Sequence, residues 1–187
     1  ANNGYVNPGY GGQDFDAEYL FYKVDGSTLS VGLQTGFDIE TGTVDYGNKI
    51  YYTGDLALSF DKNPDNYEYA IDFGFLTMGY TGNPNSTEHD EGLYKVTTWN
   101  NDVYSGYTIS NPFTMQTGTE IVGGASLGTH GDDDPTTDSY WRTYDIDLTT
   151  LDLDGDTFTL GAHWTMSCGN DYVEGSVEVA PVPEPAT

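Results

Sequence analysis

A period of two runs through the apolar residues of this chain, and it limits what the chain can build. In Thr28–Thr35 (TLSVGLQT), Leu29, Val31 and Leu33 alternate with small or polar neighbours. Successive side chains of an extended strand point to opposite faces, so this spacing gives one face to a core and the other to solvent. The alternation recurs in residues 55–61 with Leu56, Leu58 and Phe60, and in residues 68–75 with Tyr69, Ile71, Phe73 and Phe75. No segment combines an apolar repeat of about 3.6 residues with capping residues, so helices are not expected.

Further strands are expected at residues 17–24 (AEYLFYKV), 50–52, 92–99 (GLYKVTTW), 140–148, 158–167 and Tyr172–Val179, with weaker ones around 113–115 and 121–122. Asp25-Gly26 and the cluster Lys62-Asn63-Pro64-Asp65-Asn66 mark turns, and residues 130–138 (HGDDDPTTD) read as an exposed acidic loop. Short strands and turns over 187 residues predict an all-β domain, an antiparallel β-sandwich of jelly-roll or related type. The sandwich is assigned to residues 14–179. Residues 1–13, rich in Asn, Gly and Tyr, form an extended N-terminal arm, and residues 180–187 form a Pro-rich C-terminal tail. No repeat of fixed period is present, which argues against a propeller or solenoid.

Charge narrows the range of partners. Five Lys and Arg stand against 30 Asp and Glu, a formal net charge of -25. Phosphate backbones need clustered cations, so nucleic acid is excluded as a partner, and anionic membrane surfaces are disfavoured. No apolar run is long enough to span a membrane. No export leader precedes the arm, and Ala1 suits the first residue left after cleavage. Cys168 is the one cysteine. It has no internal disulfide partner and is expected to be buried. So many carboxylates repel one another in a compact state, and bound divalent cations relieve that repulsion, which makes calcium the expected cofactor.

Two acidic groups have the residue types calcium requires. Asp14, Asp16 and Glu18 occupy alternate positions, which on a strand share a face. Asn170, Asp171 and Glu174 follow Cys168-Gly169 in a turn. First and last strands of sandwiches are often neighbours, so the two groups can serve one site. The competing readings are solvated carboxylates on an edge strand and an Asn-Asp turn that bonds its own backbone. Catalysis has little support. His89, His130 and His163 are scattered, Cys168 lacks a basic neighbour, and neither a nucleophile elbow nor an HExxH motif occurs. Tyr5, Tyr10, Tyr46, Tyr51, Tyr52, Tyr104 and Tyr107 fall in loops or edges, where they suit a sugar-stacking platform or a protein interface.

Val182-Pro183-Glu184-Pro185-Ala186-Thr187 resembles the opening of the PEP-CTERM sorting signal of bacterial surface proteins. In that family the motif, here Pro183, Glu184 and Pro185, precedes an apolar helix and a basic cluster that an exosortase processes. Neither follows here, so the resemblance implies an exported protein in processed or truncated form. The body is similar to secreted members of that group in Phe15-Asp16-Ala17-Glu18-Tyr19-Leu20-Phe21-Tyr22, in Gly54-Asp55-Leu56-Ala57-Leu58 and in Leu93-Tyr94-Lys95-Val96-Thr97-Thr98-Trp99. It is also similar in the block from His163 to Glu174. The strand order resembles DOMON-like and carbohydrate-binding β-sandwiches, an analogy of fold.

These observations lead to an expected non-enzymatic structural or adhesive protein, extracellular or at the bacterial cell surface, stabilised by calcium. An arm and tail without cores of their own suit strand addition between subunits, which gives a homopolymer or filament of a biofilm matrix. The alternative is a carbohydrate-binding module that retains exopolysaccharide at the surface. Asn85-Ser86-Thr87 fits a glycan acceptor, with Asn85 as the modified residue.

Overall fold

The alternating segments pair edge to edge because an extended strand satisfies its backbone groups only across a partner. A computed structural model describes residues 11–82, 86–134 and 139–180. Its strands are β1 (Ala17–Asp25), β2 (Thr28–Thr35), β3 (Thr43–Tyr46), β4 (Lys49–Tyr52), β5 (Leu56–Ser59), β6 (Tyr69–Asp72) and β7 (Thr77–Met78). They continue with β8 (Ser86–Thr87), β9 (Gly92–Asn100), β10 (Thr114–Glu120), β11 (Ala125–Asp134), β12 (Ser139–Asp147), β13 (Phe158–Thr165) and β14 (Tyr172–Val179). One sheet has the order β1-β2-β12-β11, the other β10-β9-β6-β5-β13-β14, and β3-β4 and β7-β8 form two small ribbons. Neighbours in both large sheets run antiparallel. The fold is all-β, an antiparallel sandwich, and the helical content of the described residues is three short 3-10 turns at Gln13–Phe15, Thr108–Ser110 and Leu148–Leu151. None of these is long and apolar enough to cross a membrane.

The core lies between the large sheets. Leu29, Val31 and Leu33 of β2 and Tyr144 and Ile146 of β12 come from one side. Leu56 and Leu58 of β5, Ile71 of β6, and Leu160 and Trp164 of β13 come from the other. Each such side chain contributes roughly 1.5–3 kcal/mol when taken fully out of water. Trp164 also donates its indole N–H to the Gly54 carbonyl at 3.1 Å, so its polar atom stays satisfied within the core. Arg142 is buried on β12, where its Nε donates to Glu40 at 3.1 Å and its Nη1 to Glu91 at 3.4 Å.

Three expectations change. Residues 130–134 are strand, the end of β11, because Gly131 and Asp132 pair with Trp141 and Tyr140 of β12. β11 is an edge strand, a position where charged residues discourage pairing with other chains. Residues 121–122 turn instead of extending: the Gly124 N–H closes on the Ile121 carbonyl at 2.8 Å, and Val122 is 82% exposed. The Gly- and Thr-rich stretch before residue 54 hides β3, which pairs with the expected short strand of Tyr51 and Tyr52. Asn85, the sorting residues Pro183, Glu184 and Pro185, residues 1–10 of the arm and residues 135–138 lie outside the described residues.

Candidate functional site

At one end of the sandwich the β3–β4 hairpin turns through Gly47 and Asn48, both at positive φ (59° and 66°). Two successive residues of this kind form the two-residue turn whose twist matches paired strands. Tyr46 pairs with Lys49 and Val44 with Tyr51, so these four side chains share one face of the hairpin. That face closes a pocket of about 260 Å³ whose walls include Phe15, Tyr46, Tyr51, Tyr80, Tyr104 and Tyr107. Phe15 stands edge-on to Tyr51 and Tyr46, with ring centroids 5.2 and 5.6 Å apart. Tyr80, Tyr104 and Tyr107 follow in a row at 5.2 and 5.4 Å. Lys49 Nζ lies 3.2 Å from the Tyr80 ring centroid and donates to the Tyr80 carbonyl at 2.6 Å. Tyr46 is 56% exposed and Tyr104 44%, so aromatic surface faces solvent at the mouth. Gly11, Asn170 and Cys168 complete the lining. The Cys168 thiol donates to Asn170 Oδ1 at 2.8 Å. Burial pushes that thiol up to about 12, which keeps it protonated and unreactive at neutral pH.

The acidic residues expected to hold calcium do not share one face. Residues 13–15 form a 3-10 turn, so the strand alternation fails at Asp14, which is exposed. Gly36 makes that turn possible, since a Cβ there would collide with the Gln13 carbonyl. Glu18 sits at the irregularity between Ala17 and Tyr19, and its carboxylate accepts from Gln13 Nε2 at 2.7 Å and Ser139 Oγ at 2.9 Å. Glu174 is exposed and lies 3.7 Å from His163 Nδ1. Asp16 and Asp171 do come together. Both are buried, Asp171 Oδ2 accepts the N–H of Ala17, the residue next to Asp16, at 2.8 Å, and the two carboxyl groups bear on each other's charge. Burial raises the Asp171 carboxyl to about 7 and is also the main cause of a raised Asp16. Among the described residues, no three His, Cys, Asp or Glu side chains are grouped to hold one metal ion.

Two further polar groups are enclosed. His163 is 1% exposed, and its Nε2 lies 2.9 Å from the Ser110 carbonyl. Burial brings it down to about 4, so the ring is neutral at physiological pH and Nε2–H is the donor. Asp55 accepts from the Met115 N–H at 2.7 Å and Thr114 Oγ1 at 2.8 Å, and burial followed by the nearby Asp72 raises it well above the usual carboxylate range.

Of the pocket residues, Tyr46, Tyr51, Tyr104 and Tyr107 are among the loop and edge aromatics singled out in the sequence, whereas Tyr52 is not in the lining. Tyr80 and Phe15 carry no local signal of belonging with them. They arrive through the turn before β1 and the loop after β7, whose Tyr80 N–H donates to the Asp102 carbonyl at 2.6 Å. Comparison with models of known families, with curated proteins and with solved structures returns no match for this chain.

Proposed function

We propose that this protein is a non-enzymatic component of the bacterial surface or extracellular matrix that holds polysaccharide in the tyrosine pocket. The observation that carries this reading is the pocket's composition, six aromatic rings with Lys49 and Asn170 close by. Sugar rings present C–H faces that stack on exposed aromatics, and a few polar groups suffice to orient the hydroxyls. An acidic protein is repelled by anionic polymers, so neutral glycans are the favoured class. Export rests on the resemblance of the terminal hexapeptide and of the body to PEP-CTERM proteins. The test is a panel of neutral polysaccharides offered to the full chain. Retention by at least one, lost in Tyr104→Ala, supports the reading, and retention by none rejects it.

A second reading is self-assembly by strand addition. β1 is a nine-residue edge strand that leaves Tyr19, Phe21 and Tyr22 largely exposed. Between β1 and β14, the edge strand of the other sheet, lies an apolar groove of about 200 Å³ that reaches Val31, Leu56 and Leu160. Open edges of this kind are templates for another chain. Residues 1–10 contain no charged side chain, so this segment of a second copy can approach an acidic partner without repulsion. Electron microscopy and light scattering test it: assemblies that dissolve when residues 1–10 are deleted support the reading, and a monodisperse monomer at high concentration rejects it.

A further inference from the structure

Asp16 and Asp171 bring two buried carboxyl groups together where the turn before β1 meets the turn before β14. Asp171 is already engaged: Oδ2 accepts the Ala17 N–H at 2.8 Å and Oδ1 the Tyr172 N–H at 2.9 Å. Asp16 is 2% exposed, its carboxylate oxygens are both enclosed, and neither has a hydrogen-bond donor. Its backbone is fixed independently, because the carbonyl accepts from Thr35 Oγ1 at 2.6 Å and from the Gly36 N–H at 2.8 Å. The turn that carries the side chain is therefore held in place. Two facing carboxylates in a dry site repel strongly unless a positive species lies between them. Glu18 nearby adds to the negative potential. Three of the five basic side chains are engaged elsewhere: Arg142 with Glu40 and Glu91, Lys23 with Asp25, and Lys49 over Tyr80.

We propose that Asp16 and Asp171 bind one divalent cation, calcium foremost, joining the turn before β1 to the turn before β14. Carboxylate oxygens are hard ligands, which select calcium or magnesium over softer metals. The group is smaller than the six residues the sequence offers, since Asp14 and Glu174 are exposed, Glu18 is bonded to Gln13 and Ser139, and Asn170 Oδ1 accepts the Cys168 thiol. Two carboxylates make a weak site, with a dissociation constant on the order of 10⁻⁴–10⁻³ M, the range of extracellular modules. Its consequence is local. Phe15 and Asn170, the residues immediately before the two ligands, line the tyrosine pocket, so the cation fixes two of its walls. The proposal does not depend on glycan binding.

The experiment is thermal melting of the full chain at pH 8 in chelator and in about 10 mM calcium chloride. The wild type is expected to melt roughly 3–10 °C higher in calcium. Asp16→Asn is expected to lose that rise and, in chelator, to melt above the wild type, because it removes one of two facing charges. Glu174→Gln, an exposed change on the same hairpin, is expected to keep the rise. Equal melting of the wild type in calcium and chelator overturns the proposal, and a rise that persists in Asp16→Asn places calcium elsewhere and also overturns it. If calcium has no effect but acidification from pH 8 to 5 stabilises the wild type and not Asp16→Asn, a shared proton holds the pair and the cation does not.

Discussion

Asp171 Oδ2 accepts the backbone N–H of Ala17 at 2.8 Å, across a sequence separation of 154 residues. This bond joins the start of β1 to the start of β14, the edge strands of the two sheets. The same carboxylate accepts the Tyr172 N–H. Asp171→Ala leaves both donors without their acceptor, and an unmet buried donor costs about 1–3 kcal/mol. Read at pH 5, where the Asp171 carboxyl is protonated and no facing charge is relieved by the change, the expected loss is about 2–3 kcal/mol, a fall of roughly 4–10 °C in Tm for a chain of this length. Differential scanning calorimetry checks it, and an unchanged Tm contradicts the assigned bonds.

His163 predicts a pH dependence of definite sign. Its folded pKa is depressed by burial to about 4, below the ordinary value near 6.5. The unfolded chain therefore takes up a proton first as pH falls. The stabilisation is present above about pH 6.5 and is lost as pH falls through the folded value, amounting to about 3 kcal/mol. His163→Gln has no such group, so the difference between wild type and variant should shrink between pH 6.5 and 4 in urea unfolding. A difference that stays constant across that window contradicts a buried neutral ring.

Asp72 predicts the opposite sign. Burial raises it to about 6, despite the Gly74 N–H that it accepts at 2.8 Å. A raised carboxyl gives stability that is present below its unfolded pKa and lost as pH rises through the folded value, here between about pH 4 and 6. Asp72→Asn keeps an acceptor for Gly74 and removes the charge. It is expected to stabilise the protein by about 3 kcal/mol at pH 8 and to have little effect at pH 4. Equal effects at both pH values contradict the assignment.

Arg142 joins β12 to the Glu40 turn and to the loop before β9. Arg142→Met leaves two carboxylates facing a buried site and is expected to cost about 2–3 kcal/mol, less than a fully enclosed pair because Glu40 and Glu91 retain some solvent. Arg142→Lys should not restore stability, since a single ammonium cannot reach Glu40, Glu91 and the Phe73 carbonyl together. Full rescue by lysine in denaturant titrations contradicts the network.

The strands were legible where one face alone is apolar. Thr28–Thr35 and Tyr172–Val179 match their expected bounds, because β2 lies inside a sheet and β14 packs one face on the core. Spacing could not reveal the turn at Gln13–Phe15, since Asp14, Asp16 and Glu18 have the same spacing in a turn and in a strand. The turn depends on Gly36, 21 positions beyond Phe15, yielding space to the Gln13 carbonyl. The encounter of Asp16 with Asp171 followed from the expectation that first and last strands adjoin. The tyrosine pocket was legible only as a set of loop aromatics. Its convergence depends on contacts between the β3–β4 hairpin, Tyr80 and Tyr104, which no local pattern encodes.

The central claim is that the tyrosine pocket holds neutral polysaccharide. Affinity electrophoresis of the full chain through gels containing neutral polysaccharides tests it most directly, comparing wild type, Tyr46→Ala, Tyr104→Ala and Phe21→Ala. Phe21 is an exposed aromatic on β1, away from the pocket lining. At least one gel is expected to retard the wild type and Phe21→Ala alike, while each pocket variant binds about ten-fold more weakly, near 1.4 kcal/mol. Retardation unaffected in both pocket variants, or absent from every gel for the wild type, would contradict the account.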